Sequence, residues 1–279
     1  MKNRLIGAIV LFCCIINVQA QLRYPIVGTY KKKSAQGMAI YGYQAYLFSD
    51  GGLCRVYDFN NSKVVNEFKL STSAPTNHVN NACFGIELGS YNQIPFIYIT
   101  ECKNKFRCFV EEILPDTTRL VQTISATNNG KPERVLVWAI DREHGLLYSV
   151  TRSDKTLKSQ GYSQNTITEY KLPNVSDGDE VVLREKDVLK RYVVQFPNIL
   201  QGAKISKGKL YIVTGLQQSA SHRLDAQRAI QVIDLKKGVL VKTIDLTYLT
   251  TNEPEDIDFY KGKALLYCGQ EGGIYEIKL

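Results

Sequence analysis

Along most of the chain, apolar positions fall in short runs of Val, Ile, Tyr, Phe and Leu. Gly, Asn, Asp or Ser breaks these runs every few residues. This pattern predicts strands and turns with little helix. The strands fall into five units. The first opens at Gln36-Gly37 and closes near Leu70; the second runs from Asn81 to Ile124. The third opens at Val137-Trp138, the fourth at Gln201-Gly202, and the fifth at Glu255-Asp256. One phrase recurs, Gln36-Gly37-Met38-Ala39-Ile40 and Gln201-Gly202-Ala203-Lys204-Ile205, each time ahead of a turn and an aromatic-rich strand. Self-similarity on this scale signals stacked copies of one supersecondary unit. The prediction is an all-β protein, a β-propeller of five blades. Six is the alternative, because Val181 to Phe196 could hide extra strands. The fifth unit supplies three strands instead of four, and the segment Tyr24 to Tyr30 is a spare. Pairing the N- and C-terminal strands in one blade would close the ring and leave no open sheet end.

Residues 1–20 read differently. Lys2 and Arg4 precede an apolar run from Leu5 to Val18, and Val18-Gln19-Ala20 is a small-residue cleavage site. This is the pattern of a secretory signal peptide cut near Ala20. The expected mature chain is one propeller domain over residues 21–279, secreted or periplasmic and bacterial, with no membrane-spanning segment. Losing Lys2 and Arg4 would take the formal charge from +8 to +6. The charges are scattered, without the basic stripe and interleaved aromatics that nucleic acids require.

Cys13 and Cys14 would leave with the leader, so Cys54, Cys83, Cys102, Cys108 and Cys268 remain. In an oxidising compartment disulfides persist. Cys102 and Cys108 flank a five-residue stretch that reads as a hairpin loop. Directly opposed strand positions lie about 4.5–5.5 Å apart at Cα, within reach of a disulfide. These two are therefore the expected pair, while the pairing of Cys54, Cys83 and Cys268 stays open. With three histidines and no Cys-x-x-Cys spacing, a zinc site is not indicated.

In a propeller the segments leading into the innermost strands gather round one mouth of the central channel. Here they are polar and include Gln36, His78, Asn81, Gln201, Glu253 and Glu255. The long connection 217–228, with Arg223, could form a rim. These residues are the candidate ligand-binding set. Polar residues at this place also satisfy backbone groups and channel water in any propeller. No cofactor is indicated; a Ca²⁺ ion held by carboxylates and amides is the one ion the set suggests.

Ser34-Ala35-Gln36-Gly37-Met38, its echo at Gln201-Gly202, and Asn252-Glu253-Pro254-Glu255 resemble phrases of the bacterial and plant glutamine cyclotransferases, which are five-bladed propellers. The resemblance covers about a third of the chain and implies that fold. The family carries a catalytic glutamate before a glycine at the second inner strand and lines its pocket with tryptophans. Here the stretch reads Ala82-Cys83-Phe84-Gly85, and Trp138 is the sole tryptophan. The departures speak against the cyclase activity. The expected function is a binding module for a small polar ligand, glycan or peptide. The alternatives are a cyclotransferase-like or metal-assisted hydrolytic enzyme working through a channel-mouth carboxylate, and a protein-interaction scaffold.

Overall fold

The computed structural model describes residues 21–25, 35–74, 77–157, 161–197, 199–220, 222, 226–269 and 273–279. Strand β1 is Gln21–Pro25. Blade 1 follows as β2 (Ala35–Tyr41), β3 (Gln44–Ser49), β4 (Leu53–Asp58) and β5 (Lys63–Lys69). Blade 2 is β6 (Val79–Leu88), β7 (Pro95–Glu101), β8 (Cys108–Ile113) and β9 (Thr118–Asn128), with the two-residue β10 (Lys131–Pro132). Blade 3 comprises β11 (Val135–Asp141), β12 (Leu146–Leu157), β13 (Tyr162–Lys171) and β15 (Val188–Pro197). Between its last two strands, β14 (Glu180–Leu183) pairs in parallel with β9 of blade 2. Blade 4 is β16 (Leu200–Ser206), β17 (Lys209–Thr214), β18 (Ala229–Asp234) and β19 (Val239–Asp245). Blade 5 holds β20 (Pro254–Tyr260), β21 (Lys263–Cys268) and β22 (Gly273–Ile277).

The count is five blades, and β1 pairs antiparallel with β22, so both ends of the chain share blade 5. The closing strand begins earlier than the sequence suggests: Tyr24 and Pro25 belong to it, while residues 26–30 lie outside the described residues. The extra strands in the 181–196 region do not make a sixth blade. One is the outer strand of blade 3, and the other ties blade 3 back to blade 2. The Gln122 amide secures this excursion by donating to the carbonyls of Asn174 and Gly178, both at 2.9 Å.

Apolar side chains fill the wedges between neighbouring blades as five separate clusters. Phe48, Phe68, Phe84 and Phe109 lie between blades 1 and 2; Trp138, Tyr98 and Tyr170 lie between blades 2 and 3. Alternation along each strand explains this, since residues i and i+2 face the same wedge. Trp138, 1 % exposed, is core.

The expected Cys102–Cys108 disulfide is not present. Both are free thiols. Cys108 stands opposite Thr100, and Glu101 donates its N–H to the Arg107 carbonyl. The hairpin register therefore leaves Cys102 beyond the last paired residue. Cys108 is instead buried among Tyr98, Val110 and Trp138.

All five inner strands carry one extra residue at the same place. The register slips between Ala35 and Met38, Val79 and Asn81, Val135 and Val137, Leu200 and Ala203, and Pro254 and Asp256. A bulge re-aims the side chain it carries. In blade 4 it also needs a glycine, because a Cβ on Gly202 would lie 2.0 Å from Asp256 Oδ1. Gly202→Ala is therefore expected to displace Asp256 and to cost about 1–3 kcal/mol, the usual price of overpacking. Gly208→Ala, at a turn with nothing within 4 Å of a Cβ but a φ of +67°, should cost about 1–2 kcal/mol through backbone strain alone. Urea midpoints compare the two; only Gly202→Ala should be relieved by a smaller residue at position 256.

Candidate functional site

The inner strands β2, β6, β11, β16 and β20 each face the channel with an edge that has no strand partner. Side chains from neighbouring inner strands satisfy part of it. Asp256 accepts the N–H of Met38 at 2.7 Å and that of Ile257 at 2.8 Å. Asp258 accepts Ile40 N–H and Phe259 N–H, both at 2.7 Å. Asn81 donates to the Trp138 carbonyl at 2.6 Å and accepts the Ala203 N–H at 3.1 Å. Lys204 donates to the Ala82 carbonyl at 2.6 Å, and its ammonium lies 3.2 Å from Asp258 Oδ2. Burial opposes the charge on Lys204, but Asp258, Cys83 and Asp256 outweigh it and raise its pKa above the usual lysine value. Burial is also the main reason the Asp256 pKa is pushed up to about 8, with Lys204 pulling the other way. Asn81 thus lies within the wall of the channel, its amide committed to backbone groups.

Above this layer, at the bulges, the lead-in residues come together. The Gln201 amide donates to Glu253 Oε1 at 2.7 Å and to the Gly215 carbonyl at 3.1 Å, which fixes its orientation. Burial raises the Glu253 pKa, opposed by Gln201 and by the nearby His78. His78 Nδ1 contacts Asp50 Oδ1. Gln36 and Asn80 occupy the equivalent bulges of blades 1 and 2 and are buried. Glu255 is 1 % exposed, and neither of its carboxyl oxygens has a hydrogen-bond partner among the described residues. One of them lies 2.7 Å from where a Cβ on Gly269 would stand, so the glycine makes room for it. Burial, followed by the charges of Glu253, Asp256 and Asp50, holds its pKa well above the carboxylate range.

The structure therefore brings Gln36, His78, Gln201, Glu253 and Glu255 to one mouth. It places Asn81 deeper in the channel, and Arg223 lies outside the described residues. Asp50 belongs to the site and escaped the sequence reading, because Asp50-Gly51-Gly52 reads as a hairpin turn. Its one signal was position: the turn between second and third strands rises on the same side as the lead-ins. Among the described residues, no three His, Cys, Asp or Glu side chains converge to hold a metal ion.

No protein-family profile matches the chain, and no curated protein matches it. Among solved structures, the glutaminyl cyclase of Myxococcus xanthus superposes with a TM-score of 0.53 at 14 % identity, over 94 % of this chain and 96 % of the cyclase. The hydrazine synthase of Kuenenia stuttgartiensis gives 0.43 at 9 % identity, over 84 % of this chain and 64 % of that one. The protein is a five-bladed β-propeller, and what it shares with the cyclase is that fold.

A carboxyl whose pKa is higher folded than unfolded binds more protons in the folded state. Its folded state is favoured most below the unfolded pKa and loses that advantage as pH rises to the folded one. For Asp256 the window runs from its ordinary 3.8 to about 8, and Glu255 acts in the same direction. Melting temperature is expected to fall between pH 5 and pH 8. Glu255→Gln, neutral throughout, should melt higher than wild type at pH 8 by about 2–4 °C, the equivalent of about 1 kcal/mol in a chain of this size. The two proteins should differ less at pH 5. Scanning calorimetry at both pH values reads the effect.

Proposed function

We propose that this protein is an exported propeller that binds a small polar ligand at the channel mouth. Gln36, His78, Gln201, Glu253 and Glu255 are its polar partners. The observation that carries the reading is the Glu255 carboxyl, buried with neither oxygen hydrogen-bonded among the described residues. Leaving such a group unsatisfied costs about 1–3 kcal/mol. A ligand that completes its hydrogen bonds offsets that cost, and a destabilised group at a binding site fits the trade between stability and function. Burial raises the Glu255 pKa, and in its protonated form the carboxyl offers one donor as well as an acceptor. A hydroxyl or amide complements that pair, as on a glycan or a peptide end. The leader pattern in residues 1–20 supports export. No helix among the described residues is long and apolar enough to cross a membrane.

A second reading, an acid–base hydrolase at the same mouth, draws on the Asp50–His78 contact. A carboxylate on Nδ1 fixes the tautomer and leaves Nε2 for proton transfer. The cyclase activity of the structural neighbour is not carried over, because Ala82-Cys83-Phe84-Gly85 holds no acid.

A thermal-shift screen of mature protein against monosaccharides, disaccharides, amino acids and dipeptides tests the binding reading. A ligand at 100 times its Kd adds about 2.7 kcal/mol to stability. The hit should lose its shift in Glu255→Gln and in Gln201→Ala. No shift from any compound, or an undiminished shift in both variants, would contradict it. Turnover of a hit that His78→Ala abolishes would move the assignment to the hydrolase.

A further inference from the structure

The end of the channel opposite the mouth holds an open cavity. It lies beneath the short turns that follow the inner strands, where the sequence offered no candidate site. Its volume is about 560 Å³, within the range of roughly 300–1,000 Å³ usual for small-molecule pockets. Tyr41, Tyr43 and Asn60 line it from blade 1, Tyr260 and Lys261 from blade 5, and Arg142 from blade 3 across the ring.

Two features of this lining select a ligand. The first is charge. Arg142 and Lys261 both face the cavity, no carboxylate lines it, and neither cation has an ion-pair partner among the described residues. Their contacts are with rings instead: the Arg142 guanidinium is 5.8 Å from the Tyr41 ring centre, and the Lys261 ammonium is 5.0 Å from that of Tyr260. Such contacts position a cation without neutralising it. The guanidinium fork matches phosphate or carboxylate in a bidentate fashion. The second is flat apolar surface. Tyr43 is 50 % exposed, and Tyr260 is backed by Phe59, stacked at 4.3 Å. The walls are also held in place. Gly42 (φ +60°) and the Lys261-Gly262 pair (φ +49° and +77°) form tight hairpin turns that fix the adjacent tyrosines.

We propose that this cavity is a second binding site, for a small organic anion carrying a flat ring. Arg142 and Lys261 take the anionic group and the tyrosines take the ring. The site is separate from the channel mouth and does not depend on that assignment.

The test is isothermal titration of the whole mature protein with phenyl phosphate, with inorganic phosphate and benzylamine as comparisons. Phenyl phosphate should bind saturably at one site, more tightly than inorganic phosphate, and benzylamine should not bind there. Arg142→Ala should weaken phenyl phosphate at least tenfold, Lys261→Ala should weaken it less, and Glu255→Gln should leave it unchanged. Both cations are exposed, so their removal should leave the melting transition in place. Absence of saturable binding, binding equal to that of inorganic phosphate, or affinity unchanged in Arg142→Ala would overturn the proposal. Loss of binding in Glu255→Gln would also overturn it, by placing the ligand at the mouth.

Discussion

A ring of five sheets exposes five inner edges to one narrow channel, and every N–H and C=O on those edges needs a partner away from bulk water. Buried backbone groups are almost always paired. This chain meets part of the requirement with side chains from neighbouring inner strands. Asp256 and Asp258 take amides of β2, Asn81 bridges β11 and β16, and Lys204 caps a carbonyl while pairing with Asp258. Two carboxyl groups and one ammonium buried together would be costly alone; joined by hydrogen bonds they become a lock between blades. The glycine at position 202 follows from the same constraint, since the chain next to Asp256 has no room for a side chain.

The mouth obeys a different rule. One layer higher, the bulges turn Gln36, Asn80, Gln201 and Glu255 out of the pairing scheme. Gln201 and Glu253 satisfy each other, and His78 is held by Asp50. Among the described residues, Glu255 is left with its oxygens unbonded. The same scaffold thus carries a hydrogen-bonded layer of side chains in the channel and, one layer higher, a buried carboxyl without a hydrogen-bond partner among the described residues. The opposite end differs again, with cations and aromatic rings in place of buried acids.

Much of this was legible in the sequence. Gln36-Gly37 and Gln201-Gly202 repeat because equivalent bulges recur at equivalent turns of the ring. The short fifth unit and the spare N-terminal strand pointed to the same closed blade. The lead-in positions of Gln36, His78, Gln201, Glu253 and Glu255 were legible because such a position is a local property of the chain. What escaped depends on partners far apart in sequence or on a slip of one residue. The bonds of Asp256 to Met38 and Asp258 to Ile40 join residues 218 apart. Arg142 reaches Tyr41 from a blade across the ring, so short turns that looked bare line a cavity. Cys102 and Cys108 flank a hairpin whose register does not oppose them, and residue spacing alone does not encode register. Asp50 was hidden by its own turn, where Asp before Gly-Gly has an ordinary local explanation.

The binding role of the channel mouth turns on Glu255, a buried carboxyl with no hydrogen-bond partner among the described residues and a pKa raised by burial. Its protonation state can be read directly by carboxyl-selective NMR of protein labelled at glutamate, with Glu255→Gln assigning the resonance. The Glu255 signal is expected to stay in its protonated position at pH 7 while exposed glutamates have already titrated. A Glu255 that ionises with them, near pH 4–5, would contradict the account and return the mouth to an ordinary solvated rim.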